Sequence, residues 1–325
     1  MKTKSFLKLA MAVVVLSIGI VSCEKDSTNT QTTKEEKGAI IETPEKIIPI
    51  SKAINEYNNF YTTRIAPFEA KSTQEENRAV WFDLQTLENY LQKTKTIANQ
   101  KGIEITNYSF IFGADNEGKR TLFLAPMSID AKTKTNKAFT IENDKVKFLY
   151  ENPFDDYSSS IGSDNKVQSL ILSNGGYISS KDAIVMYNNY YDKKVAPIEH
   201  IVEKDTRVCF YKQGIFENYL SYIKQQANNK GVNLNGVNLV FGVYDNSASL
   251  GEYANHQTLF FAPTIVSKTK NNTTISYTFN GNDMVSLDFN QNILSKIVAK
   301  SSNIASSSLA NELNGSPPRG FENNQ

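Results

Sequence analysis

An internal duplication limits what this chain can fold into more than any other feature. Tyr57-Asn58-Asn59-Phe60-Tyr61 recurs as Tyr187-Asn188-Asn189-Tyr190-Tyr191, and Ala66-Pro67 as Ala196-Pro197, each displaced by 130 residues. Glu88-Asn89-Tyr90-Leu91 returns as Glu217-Asn218-Tyr219-Leu220, Lys101-Gly102 as Lys230-Gly231 and Phe112-Gly113 as Phe241-Gly242, displaced by 129. Thr121-Leu122-Phe123 with Ala125-Pro126 reappears as Thr258-Leu259-Phe260 with Ala262-Pro263, displaced by 137, residues having been added between Asp245 and His256. Matches in one order at nearly one spacing mark two copies of a single module.

Both copies carry the same local signals. Ile54, Tyr57, Tyr61 and Ile65 keep helical spacing, as do Ile184, Tyr187, Tyr191 and Val195. Ser51 and Ser179 suit the N-caps of these helices, and the Ala-Pro pair suits their ends. A β-rich run follows, Ala79 to Phe82 or Val208 to Tyr211, and then a second helix closed by Lys-Gly, a cation followed by a C′ glycine. Tyr108, Phe110 and Phe112 alternate with polar neighbours as in a half-buried strand, and the turn at Asn116-Glu117-Gly118 leads into another strand.

The expected fold class is therefore α+β: two tandem α-β-α-β-β modules, each a small sheet with helices on one face. Further strands are expected at Ala138–Ile141 and Val146–Tyr150, and at Ile275–Phe279 and Met284–Phe289. Lys-Thr-Lys at 132–134 and 268–270 hints that the repeat reaches that far. The first repeat spans 47–150, a connecting loop 151–176, the second repeat 177–300, and a loose polar tail rich in Ser and Asn 301–325.

Residues 1–22 read as a secretory leader. Lys2, Lys4 and Lys8 precede an apolar run from Leu9 to Val21, which is shorter than a spanning helix requires. Ile20-Val21-Ser22-Cys23 resembles the lipobox of bacterial lipoproteins. That resemblance implies cleavage before Cys23, acylation of its thiol with palmitate-type chains, and anchoring in a cell-envelope membrane. Glu24-Lys25-Asp26 is similar to the export tag of Bacteroidota lipoproteins, which implies the outer membrane and display on its outer face. Residues 23–46 then comprise the lipidated cysteine and a polar tether with a reach of about 25 Å as a random coil. The tandem Tyr-Asn-Asn, Glu-Asn-Tyr-Leu and Phe-Gly…Leu-Phe…Ala-Pro pattern resembles that of tandem-repeat surface lipoproteins of Bacteroidota, a resemblance that implies no activity.

Charge narrows the partners. The chain carries a formal +1, and loss of the three leader lysines leaves −2. Such a near-neutral surface has no bias toward nucleic acid, so no nucleic-acid partner is expected. With Cys23 acylated, Cys209 has no intramolecular partner, so core burial and not a disulfide framework must hold the fold. His200 and His256 are the only histidines and lack metal-ligand spacing. No Gly-rich phosphate loop, nucleophile elbow or Cys-x-x-Cys pair is present. No metal and no cofactor are expected.

Five side chains are candidates for ligand binding. Arg78 and Arg207 stand at equivalent positions before the first strand of each copy and could grip a carboxylate or other anion, or could form strand-edge ion pairs. Tyr61 and Tyr191 could line a stacking surface for sugars or peptides, or pack in the core. Asp83 could act as a general acid or base, or could cap the helix beginning at Leu84. Its counterpart is Lys212, so any such catalysis would be confined to one copy.

The favoured functional expectation is a non-catalytic surface lipoprotein that binds a glycan, peptide or protein or serves structurally. The alternative is a carboxylate-dependent hydrolase of envelope or environmental polymer. For the anchor, Cys23→Ala should release the protein from the membrane fraction and abolish incorporation of radiolabelled palmitate. Continued labelling of the variant contradicts it.

Overall fold

The structure is a computed structural model that describes residues 42–69, 76–149, 169–202, 205–267, 272–287, 289 and 307–311. The leader, Cys23 and most of the tether lie outside the described residues, as does 151–168 of the expected connecting loop.

The first helix, α1 (Ile50–Phe60), buries Ile50, Ala53, Ile54, Tyr57 and Phe60 along one stripe. Pro49 is its N-cap, not Ser51, because the preceding residues are already fixed: Ile48 N donates to Leu309 O at 2.9 Å and Asn311 N to Lys46 O at 3.0 Å. A π turn at Tyr61–Ile65 follows, then the short helix α2 (Ala66–Glu69). Copy two repeats the device, with α4 (Ser180–Tyr190) capped by Ser179 and a π turn at Tyr191–Val195. Pro67 and Pro197 have no N–H to return to the carbonyl four residues back, so the ladder widens ahead of each.

The strand β1 (Ala79–Asp83) runs into α3 (Leu84–Gln100), and β8 (Val208–Lys212) into α5 (Gln213–Asn229). Both helices end as expected, on Lys101 and Lys230, with Gly102 at φ 68° and Gly231 at φ 63°. Copy one continues with β2 (Asn107–Ala114), β3 (Arg120–Ile129), β4 (Asn136–Glu142), β5 (Lys145–Phe148), β6 (Ile171–Ser173) and β7 (Gly176–Ile178). Copy two continues with β9 (Leu234–Val243), β10 (Gln257–Ser267), β11 (Thr273–Asn280), β12 (Asp283–Leu287) and β13 (Ala310–Asn311).

The α+β class holds, with helices and two antiparallel sheets, but the copies are not self-contained modules. They exchange their first strands. One sheet runs β1-β9-β10-β11-β12 with β13 beside β10, and the other β5-β4-β3-β2-β8 with β6 beside β3. The registers match under the repeat offset: Val80 lies opposite Leu239, and Cys209 opposite Phe110. The first helices are exchanged with them, α1 packing on β9 and α4 on β2.

Helices also cover both faces of each sheet, not one. Phe110, Phe112, Phe241 and Phe261 point inward to a core shared with α3 and α5, where Phe110 meets Phe261 edge-on at 5.1 Å. Val240, Phe260 and Ala262 face outward under α1, while Ile111, Phe123 and Ala125 face outward under α4. All of β2 is therefore buried, not half-buried. The recurring Phe-Gly pair has a steric cause: a Cβ on Gly242 would stand 3.1 Å from Glu56 Cβ, and one on Gly113 3.3 Å from Met186 Cβ.

The repeat is longer than five elements. Tyr90 Oη donates to Leu170 O at 2.9 Å, and Tyr219 Oη to Ser308 O at 3.0 Å. Leu170 N and Ser308 N in turn donate to the matching threonines, Thr140 and Thr278, at 3.0 and 2.9 Å. Part of the expected connecting loop is thus strand β6, and residues 307–311 of the expected loose tail are buried and paired with β10. Short apolar runs amid Ser and Asn read as loop until a buried tyrosine and a sheet edge are there to receive their carbonyls.

Because each sheet needs a strand from the other copy, residues 42–168 and 169–325 produced as two separate chains should co-purify as a 1:1 complex. Each produced alone should aggregate. Two halves that are independently soluble and monomeric by light scattering would rule out the exchange.

Candidate functional site

Arg78 and Arg207, candidates for anion anchors or strand-edge ion pairs, are held by their own copies in cation–π contacts. The Arg78 guanidinium lies 3.4 Å from the centroid of the Tyr57 ring and 5.2 Å from that of Tyr61, and Nη2 donates to Tyr57 O at 2.7 Å. Arg207 repeats this with Tyr187 and Tyr191 at 3.5 and 5.0 Å, and with Tyr187 O at 2.8 Å. Tyr61 and Tyr191 are thus committed to cation–π contacts that bind the π turn to the first strand. Asp83 caps α3, its Oδ1 accepting from Thr86 N at 2.8 Å. Of the five candidates, Arg78 and Tyr61 share one cluster, Arg207 and Tyr191 share its counterpart, and Asp83 stands apart at the helix cap.

A second polar cluster links the copies. The π turn directs Arg64 inward, 1 % exposed, where Nε donates to Asp205 Oδ2 at 2.6 Å and Nη2 to Asn255 O at 2.6 Å. Asp205 also accepts from Gln257 N at 2.9 Å and Gln257 Nε2 at 2.6 Å, and Gln257 Oε1 accepts from Tyr190 Oη at 2.5 Å. The repeat supplies a reciprocal set. Lys194, the counterpart of Arg64, pairs with Glu76, the counterpart of Asp205. Arg120, the counterpart of Gln257, pairs with Glu76 at 2.8 Å and donates to Arg64 O at 2.6 Å. Where copy two sets Tyr190 against Gln257, copy one sets Phe60 beneath Arg120, 5.4 Å from the ring. Sequence reasoning missed this network, although a signal existed: cations at 64 and 194 and acids at 76 and 205 recur at the repeat offsets.

The helices α3 and α5 are tied in the same reciprocal way, Lys95 to Glu217 at 2.6 Å and Lys224 to Glu88 at 2.7 Å. Glu56 has no acidic counterpart, since Met186 stands at the matching position. It is buried, and burial pushes its carboxyl up to about 8, close to Asn311 Nδ2, which donates to it at 2.6 Å. Burial, aided by the charge of Arg64, holds His256 below its usual value against the opposing pull of Asp205.

Two of the clefts among the described residues are lined by polar side chains. One, of about 560 Å³, lies at the C-terminal end of α3 and is lined by Lys95, Asn99, Glu104 and Gln213. The other, of about 370 Å³, lies where β1 meets β9 and is lined by Glu76, Asn77, Arg78, Trp81, Lys119 and Asn238. Each has a single acid on its wall. In the second, that acid is already bound to Arg120 and Lys194.

The Asp205 side chain is fully buried at the centre of the cross-copy network, so Asp205→Ala leaves the buried Arg64 charge without its counter-ion and should cost about 3–5 kcal/mol. Glu76→Ala, at a more open carboxylate, should cost less. Urea unfolding of the two variants checks the order, and a loss below about 1 kcal/mol for Asp205→Ala would show that the network is not structural.

No family model matches the chain, and neither curated proteins nor solved structures show a significant match to it.

Proposed function

We propose that this protein is a membrane-anchored lipoprotein of the cell envelope, displayed at the surface, whose two interlocked copies form a non-catalytic binding module for a glycan, peptide or protein. The observation that carries the reading is how the acids are used. Carboxylate-based glycoside hydrolysis needs two acids about 5–10 Å apart facing substrate. Here Asp83 is spent on a helix N-terminus, Asp205 on Arg64 and Gln257, and Glu76 on Arg120 and Lys194. Each described cleft has one acid on its wall, which favours holding a ligand over cleaving it.

A lipid anchor on Cys23, followed by a polar tether, fits this role, because it places a rigid double-sheet body clear of the headgroups. The test is chemical crosslinking on intact cells, followed by identification of what is captured. One stoichiometric partner or polymer supports the binding module. Cleavage of envelope or environmental polymer by the purified protein, lost on substituting Glu76 or Glu104, would replace it with the hydrolase reading.

A further inference from the structure

Trp81 is the only tryptophan in the chain, and at 37 % exposure it is one of the few large apolar side chains left open. It stands on β1, at the edge of its sheet, pointing to the same outer side as Ala79 but beyond the cover of α1. Its ring is laid across the neighbouring strand. Nε1 donates to Thr264 Oγ1 on β10 at 3.0 Å, and Thr264 Oγ1 donates onward to Asn235 Oδ1 at 2.8 Å. Beneath the ring is Gly236. A Cβ there would stand 2.4 Å from Nε1 and 2.8 Å from Cε2, so the indole can lie on the backbone only because the residue is glycine. One part of the ring is thereby seated on the strand, and the half-open side chain also lines the 370 Å³ cleft.

The walls of that cleft are amide and hydroxyl groups. Asn238 is fixed by donating Nδ2 to Ser276 Oγ at 2.7 Å, Asn77 donates to Arg120 O at 2.9 Å, and Thr274 closes the far side. The charges of Glu76 and Arg78 are answered inside the protein, which leaves Lys119 as the exposed charge. A rigid, pre-oriented indole face with amides and hydroxyls around it suits a sugar ring: the C–H face stacks on the indole and the hydroxyls bond to the rim.

The duplication provides an internal control. At the matching place in the other sheet Phe210 of copy two stands for Trp81, while Asn107, Met127 and Asn136 of copy one stand for Gly236, Thr264 and Thr274. Asn136 donates to Asn107 at 2.7 Å and accepts from Thr106 at 2.8 Å, so in that sheet side chains fill the place that the Trp81 sheet leaves as a seat. The scaffold is mirrored and the seat is built once. It is also composite, since the indole comes from copy one while the glycine, the anchoring hydroxyl and Asn238 come from copy two.

We infer that the Trp81 cleft binds a sugar residue of an oligosaccharide or polysaccharide chain, stacked on the indole over Gly236. This inference rests on the binding-module reading and names its ligand class. As the sole tryptophan, Trp81 reports on its own cleft, and intrinsic fluorescence of the full chain can be titrated with maltotetraose, cellotetraose, xylotetraose, chitotetraose and tetragalacturonate. At least one should shift or quench the emission saturably below roughly 10 mM.

Calorimetry with the responding sugar should then show roughly tenfold weaker binding for Trp81→Ala. Phe210→Leu should bind as the parent does. No saturable response to any of the five overturns the inference, as does a response unaffected by Trp81→Ala. If the sugars fail but crosslinking on cells captures a protein, the binding-module reading survives without its sugar. If a bound oligosaccharide is cut, the cleft stands and the non-catalytic reading falls.

Discussion

The exchange of first strands between the two copies governs everything else in this molecule. A β-strand at a sheet edge presents a row of unpaired amides and carbonyls, and a strand from the other copy satisfies that row here. Val80 and Phe82 complete the inner face of the sheet built by copy two, and Cys209 and Tyr211 do the same for copy one. Neither sheet is whole without the other copy, so the two copies share a central core in which Phe110 meets Phe261 and Phe112 meets Phe241. The exchange also brings Trp81 over Gly236. With β1 paired inside its own copy, the indole would lie on different strands and the cleft would have other walls.

The polar interior follows the same two-fold logic. Arg64 with Asp205 and Lys194 with Glu76 are one interaction made twice across the copies, and Lys95 with Glu217 and Lys224 with Glu88 are another. Buried ion pairs are weak sources of net stability, since desolvation offsets most of the Coulomb gain, but they penalise any arrangement that leaves a partner unpaired. Pairing each copy with itself would bring different side chains together around these charges. The network thus favours the exchanged arrangement by making alternatives costly, while the aromatic core supplies the bulk of the favourable burial. The tyrosines add a second kind of specification: Tyr90 and Tyr219 reach through the core to the carbonyls of Leu170 and Ser308, which helps to fix two short segments at the sheet edges.

The local signals in the chain were legible because they depend on neighbours in sequence. Asp83 and Ser179 cap helices, Gly102 and Gly231 take positive φ after α3 and α5, and the outlying strand pairs stand close to where alternation places them. Arg78 and Arg207 were recognisable as equivalent but not as cation–π partners of Tyr57 and Tyr187, because that contact depends on how the helix meets the strand. Ser51 lost the cap position to Pro49 for a similar reason: a contact with residues some 260 positions away sets where α1 starts. Trp81 attracted no attention in sequence, since its seat is assembled from strands more than 150 residues distant.

What the sequence determined by itself is the duplication, most of the helices and strands, the caps at Asp83 and Ser179 and the α+β class, since propensity, capping and periodicity act over a few residues and survive any rearrangement of the whole. Which strand pairs with which was decided only by the tertiary structure. Two copies of one edge strand are nearly interchangeable in pattern, so periodicity cannot distinguish a strand that completes its own sheet from one that completes its neighbour's. The choice rests on helices, charges and aromatic rings that meet only after the chain has closed.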